Sequence, residues 1–259
     1  MNAEGKHKKL IGLFATTVMM SSLSAHAALT SVDGGLGVYD STNNVTWTSN
    51  ANLFASQYSN VSTIVTDANS ANGGAGLASG MVVAGNFSST GQMTWAAANA
   101  WVYYLDVTNY GNSTHWALPT TVDSLSSAGF PNGVGSNPSQ SSSQMAELFY
   151  GGLGQVALSS ITTTNNGAAG YNLFSNVQSA VYWSGTQYSA VPTSAWFFDS
   201  LFGGQNLILK GNENFALAVS PGQVSAVPLP AAAWLLLSGL AGLGMIGRRR
   251  KGSELASRS

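Results

Sequence analysis

Two uncharged apolar runs, residues 10–23 and 231–247, each set against a cluster of basic residues, frame this chain and constrain what the rest can fold into. Lys6, Lys8 and Lys9 precede the first run, and Ala25-His26-Ala27 follows it with small residues at the two positions a signal peptidase reads. This three-part pattern predicts a secretory signal peptide over residues 1–27, recognised through Ala25 and Ala27 and cut after Ala27. An amphipathic first helix would need a polar face. Ile11-Gly12-Leu13-Phe14-Ala15 and Val18-Met19-Met20 are interrupted only by small hydroxyl residues.

The second run is opened by Val227-Pro228-Leu229-Pro230 and closed by Arg248-Arg249-Arg250-Lys251. At 1.5 Å rise per residue a helix over 231–247 covers roughly 25 Å, the short limit for a bilayer, and snorkelling of the flanking arginines extends its reach. A buried core helix would not normally stop against four consecutive cations. The positive-inside rule puts those cations, and the tail 252–259, in the cytoplasm, which leaves residues 28–226 outside, as the signal peptide independently requires.

That outer stretch of roughly 200 residues is long enough for one domain with an ordinary core. Lys210 is its single Lys or Arg, against Asp33, Asp40, Asp67, Asp106, Asp123, Glu147, Asp199 and Glu213; one cation against eight acids is a net charge of −7. A surface of that sign repels nucleic acid, anionic lipid and sulfated glycan. With no cysteine, neither disulfides nor lipoprotein acylation is available, so stability must come from burial.

Residues 36–40 and 45–48 alternate around Ser41-Thr42-Asn43-Asn44, which predicts a β-hairpin. Residues 60–91 are diluted in Gly, Ala, Ser and Asn and read as a loop or irregular insertion. Thr94 caps a helix in which Trp95, Ala98, Val102 and Leu105 form one apolar stripe. Residues 124–143 read as a second loop, and 144–150 as one or two helical turns. Aromatic and β-branched segments at 181–184, 195–199, 207–209 and 215–219 predict an antiparallel sheet, so the fold class is α+β with one or two helices.

Nucleophilic catalysis needs a base, and the outer domain holds one His, one Lys and no Cys. His115, with no orienting acid beside it in sequence, reads as structural, no catalytic residue is assigned, and one His without Cys does not support zinc. Asp40, Asn43 and Asn44 offer oxygen ligands for calcium, but they are also what a tight turn requires, and the turn is preferred. No metal or cofactor is expected. Trp47, Trp95, Trp101, Trp116, Trp183 and Trp196 sit in apolar patterns and read mainly as core, with stacking on sugar rings open to any that is exposed.

Two resemblances add to this. Residues 227–251 resemble a PEP-CTERM sorting signal in its VPLP variant, with Leu229 where the consensus has Glu. This implies a Gram-negative bacterium with an exopolysaccharide system, and an exosortase that cleaves near the proline motif. The outer domain resembles a family of unknown function that includes the C-terminal domain of the collagen-like adhesin Lcl, related in fold to C-type lectins and formylglycine-generating enzyme. The pieces that carry it are Tyr39-Asp40 with Val45-Thr46-Trp47, Met93-Thr94-Trp95-Ala96-Ala97-Ala98, His115-Trp116-Ala117-Leu118-Pro119-Thr120, Tyr182-Trp183-Ser184-Gly185-Thr186, Ala195-Trp196-Phe197-Phe198 and Ala218-Val219-Ser220-Pro221-Gly222. Ala117 and Ser220 stand where that family usually has arginines.

The expectation is therefore an exported, non-enzymatic surface or extracellular-matrix protein, held in the inner membrane by its C-terminal helix until processed. Its partners are signal peptidase, exosortase and, by fold analogy, neutral exopolysaccharide; nucleic acid is excluded. A calcium-dependent lectin-like adhesin is the alternative. An enzyme of the formylglycine-generating fold comes third, since the thiols that chemistry relies on are absent.

Overall fold

A computed structural model describes residues 29–71, 82–130, 140–162 and 170–224. The signal peptide with Ala25 and Ala27, the sorting residues Val227, Pro228, Leu229, Pro230, Arg248, Arg249 and Arg250, and the membrane helix expected at 231–247 lie outside these residues. Among the described residues no helix is long and apolar enough to cross a membrane.

The fold is α+β, with antiparallel sheets and few helices. Strands β1 (Leu29–Val32), β2 (Gly37–Asp40) and β3 (Val45–Thr48) form a meander, and β2 and β3 make the expected hairpin in the register Asp40↔Val45. Its turn closes because Asn44 adopts a left-handed φ of 50°, a conformation asparagine tolerates. Helices α1 (Leu53–Gln57) and α2 (Val61–Ser70) follow, then α3 (Trp95–Val107), whose N-terminus is capped as expected by Thr94 accepting from the Ala97 amide. A single turn, α4 (Gln144–Ala146), runs into a π-helical segment at Glu147–Gly152. Strands β4 (Val181–Gln187), β5 (Ser194–Asp199) and β6 (Gly204–Leu209) make a second antiparallel sheet in that order, and β7 (Val219–Pro221) returns to β3, giving a first sheet ordered β1-β2-β3-β7.

Two sequence expectations need correction. The stretch 60–91, read as a loop, contains α2: Val61, Ile64 and Ala68 are buried and Val65 half-buried, a stripe of helical spacing that packs in the same core cluster as α3. Residues 215–219 do not add a further strand to the second sheet. They stay extended with period two, Phe215, Leu217 and Val219 entering one core and Ala216 and Ala218 the other, but their hydrogen bonds are shared between sheets. Phe215 exchanges bonds with Val181 and Trp183, whereas Ala218 accepts from Thr48 and Val219 pairs with Trp47. The segment stitches two sheets together.

The centres of β4 and β5 are packed on both faces, which accounts for their unbroken aromatic runs. Tyr182 and Phe198 are cross-strand partners packed with Phe149, Leu217 and Trp47 on one side. Trp183 and Ala195 pack on the other with Trp101, Leu105 and Ile64 of the helical layer. The six tryptophans among the described residues are all buried, none more than 5% exposed. Five of their indole N–H groups reach an acceptor at 2.8–2.9 Å: Trp95 to Ser184, Trp183 to Met93, Trp101 to Gln57, Trp116 to Tyr110 and Trp196 to Asp123. Sugar stacking on these side chains is thereby ruled out in this fold.

Candidate functional site

The apolar stripe of α3 faces the core, and the adjoining stripe, Asn99, Val102, Tyr103 and Asp106, follows the same spacing of three, four and seven along one side of the helix. It forms one wall of an open cleft of about 300 Å³. Trp116, Ala117, Leu118 and Thr120 make the second wall, and Gly185 and Thr186 of β4 the third. A volume of this order lies at the lower end of small-ligand sites.

Backbone pairing holds these walls together. Gly185 donates to the Pro119 carbonyl at 2.9 Å, and a Cβ on Gly185 would sit 3.1 Å from the Leu118 carbonyl oxygen, so the close approach of the two segments depends on glycine here. The Ser184 hydroxyl donates to the Pro119 carbonyl at 2.9 Å, and the Thr121 amide donates to the Thr186 hydroxyl at 3.0 Å. On the far side, Ala117 and Val219 exchange both amide–carbonyl bonds at 2.9 Å, which ties the cleft to β7.

Asp106 is the one charged side chain that lines the cleft. Its Oδ1 accepts the Trp116 amide at 2.6 Å. Burial raises its carboxyl above the usual carboxylate range, a shift opposed by the Trp116 amide and by the charge of His115. His115 has no acid beside it in sequence, but the fold brings one near: His115 is exposed close enough to Asp106 for its charge to be felt. Its Nδ1 lies 3.5 Å from the Thr114 hydroxyl.

The remaining lining is polar and uncharged. The Asn99 amide donates to the Trp95 carbonyl at 2.8 Å, and the Thr120 hydroxyl to Gln144 at 3.1 Å. Tyr103 is the half-buried aromatic ring of the cleft. Lys210 sits 4.0 Å over the face of Trp95 and donates to Gln187, outside the cleft lining.

The two positions where the family resemblance leads one to expect arginine come together across the Ala117↔Val219 pairing. Ser220 is buried and its hydroxyl lies 2.7 Å from that of Ser113, while Ala117 is exposed in the second wall of the cleft. At the hairpin, both oxygens of Asp40 serve the turn: Oδ1 accepts from the Thr42 and Asn43 amides at 3.0 and 3.2 Å, and Oδ2 from the Asn43 side chain at 2.8 Å. The Asn44 side chain accepts from the Tyr39 hydroxyl at 3.0 Å. Among the described residues no three His, Cys, Asp or Glu side chains gather as a metal-sized group.

Trp116, Ala117, Leu118, Thr120, Gly185 and Thr186 fall within the segments that carry the resemblance, whereas Asn99, Tyr103 and Asp106 do not, and none of the ten lining residues is expected as a site residue from the sequence. The signal was present only as a polar stripe beside the apolar stripe of α3. Comparison with family models, with characterised proteins and with solved structures finds no match.

Proposed function

We propose that this chain is an exported bacterial surface or extracellular-matrix protein of the PEP-CTERM type, sorted by an exosortase, whose outer domain binds neutral polysaccharide without catalysing a reaction. Signal peptidase frees its N-terminus after Ala27. The 231–247 helix holds it in the inner membrane until exosortase acts near Val227-Pro228-Leu229-Pro230, after which the domain resides at the cell surface or in the matrix.

The observation that carries the binding part is the cleft beside α3. It combines a half-buried aromatic ring with hydroxyl and amide groups, a mixture suited to the apolar faces and hydroxyl rims of sugar rings. Its lining contains no basic side chain, which disfavours sulfated or phosphorylated ligands. The buried tryptophans leave Tyr103 as the ring for stacking in this cleft.

The test is retention of the exported protein on its host's purified exopolysaccharide. Retention should be weakened by roughly tenfold or more in Tyr103→Ala, a half-exposed position at which truncation leaves the core intact. Equal retention of the variant would remove the cleft from the proposal, and absence of retention on any host polysaccharide would end the glycan reading.

A further inference from the structure

We infer that the cleft selects a sugar carrying a free amine, a de-N-acetylated amino sugar within an otherwise uncharged polysaccharide, by setting its ammonium against the Asp106 carboxylate. This deepens the glycan reading above and rests on it.

Asp106 occupies an unusual position for this domain. A carboxylate that loses part of its hydration is ordinarily paired with a cation, but the cleft lining supplies none. Lys210, the single Lys or Arg between residues 28 and 226, is engaged with the Trp95 face and Gln187. His115 is exposed at the rim and is not part of the lining.

The carboxylate is also oriented. Its Oδ1 is fixed by the Trp116 amide, itself held by the Ala117 to Val219 pairing, so the side chain cannot swing freely into solvent. The Asp106 carboxylate accepts no other hydrogen bond from the described residues, which leaves Oδ2 to accept from a ligand. One helical turn away, Tyr103 offers a ring whose face attracts cations as well as covering a sugar. The net charge of −7 on residues 28–226 draws a cationic ligand toward the domain and repels an anionic one. A neutral sugar would satisfy Asn99, Thr120 and Thr186 but would leave the partly buried carboxylate without a cation in direct contact. An ammonium compensates it through a charge-assisted hydrogen bond.

The test is calorimetric titration of the exported protein with three tetrasaccharides of matched length, of glucosamine, N-acetylglucosamine and glucose, and with a simple alkyl diamine. The glucosamine oligomer should bind about tenfold tighter than the other two sugars, the gain expected of one charge-assisted contact. Asp106→Asn keeps an oxygen for the Trp116 amide and should bring that ratio close to one. Glu147→Gln, which removes another partly buried acid away from the cleft, should leave the ratio intact. Lowering the pH until Asp106 takes up a proton should erase the preference in the unsubstituted protein as well, with His115 and Tyr103 the neighbouring titratable groups to account for.

Equal binding of all three sugars would overturn the amine preference while leaving the glycan reading in place. A preference that survives Asp106→Asn would overturn the role of Asp106, and a diamine bound as tightly as the glucosamine oligomer would overturn the requirement for a sugar. Failure of every oligosaccharide, with the host polysaccharide still retained, would overturn this inference alone; failure of both removes the glycan reading with it.

Discussion

Withdrawing water from part of the Asp106 carboxyl raises the free energy of its ionised form, and neither the Trp116 amide nor the His115 charge restores what is lost. Because the folded pKa lies above that of the unfolded chain, the unfolded state binds fewer protons between the two values. Stability therefore falls as pH rises through that window, from about 4 upward. This is opposite in sign to an acid held by a salt bridge. Asp106→Asn should accordingly raise the melting temperature at pH 7, with the gain shrinking as the pH is lowered below that window. Glu147, raised by burial and by the nearby Asp40, should show the same sign in Glu147→Gln. Melting curves of both variants across pH check this, and a loss of stability at pH 7 would contradict the assignment. Asp123 behaves in the other direction, lowered by hydrogen bonds from Ser189 and Trp196, so its contribution is present above about pH 4 and lost on acidification. An acid retained in a cleft where a neutral amide would be more stable is the kind of position expected of a ligand contact.

At the level of elements, α2 shows what burial does for a sequence of weak local preference. Its residues Val-Ser-Thr-Ile-Val-Thr include few strong helix formers, so the helix depends on packing its apolar stripe beside α3. Ile64 is fully buried in the core cluster that α2 shares with α3. Ile64→Ala should cost about 2–5 kcal/mol in denaturant unfolding, with an unchanged slope if the rest of the domain still folds cooperatively. The same helix explains why part of the fold was legible in the sequence and part was not. The β2–β3 hairpin and α3 announce themselves through strong local signals, an Asn-rich turn and a capped stripe of Trp95, Ala98, Val102 and Leu105. In α2 the spacing of Val61, Ile64, Val65 and Ala68 is equally regular, but it is diluted when read together with the Gly- and Ser-rich residues that follow. Neither the split pairing of 215–219 nor the cleft could be read locally. The cleft's walls come from residues 99–106, 116–120 and 185–186, joined only by contacts such as Gly185 to Pro119 and Trp116 to Asp106.

For the molecule as a whole, closure of the first sheet depends on the last described residues. Val219–Pro221 pairs with β3, Ser220 is buried against Ser113, the Val224 amide reaches the Thr46 hydroxyl, and the Val224 side chain is buried. Without β7, β3 loses its partner along the edge that carries Trp47, and the Ala117 wall of the cleft loses the strand that holds it. Val224 stands three residues before Val227, so a cut near Pro228 to Pro230 would spare every contact of β7, whereas one a few residues earlier would not. The spacing matters to the processing proposal because an exosortase product must remain folded outside the membrane. Mass spectrometry of the extracellular form should therefore find a C-terminus beyond Val224 and lacking Arg248, Arg249 and Arg250. An intact basic tail on that form would end the exosortase reading. A chain shortened to end at Val224 should keep the melting temperature of the processed protein within a few degrees. A chain ending at Ala218 should lose cooperative unfolding, because it removes the pairing of β3 and the buried Val219, Ser220 and Val224 together. If the shorter chain melted like the longer one, β7 would be dispensable, and the distance between the sheet and the proline motif would carry no constraint on where the enzyme cuts.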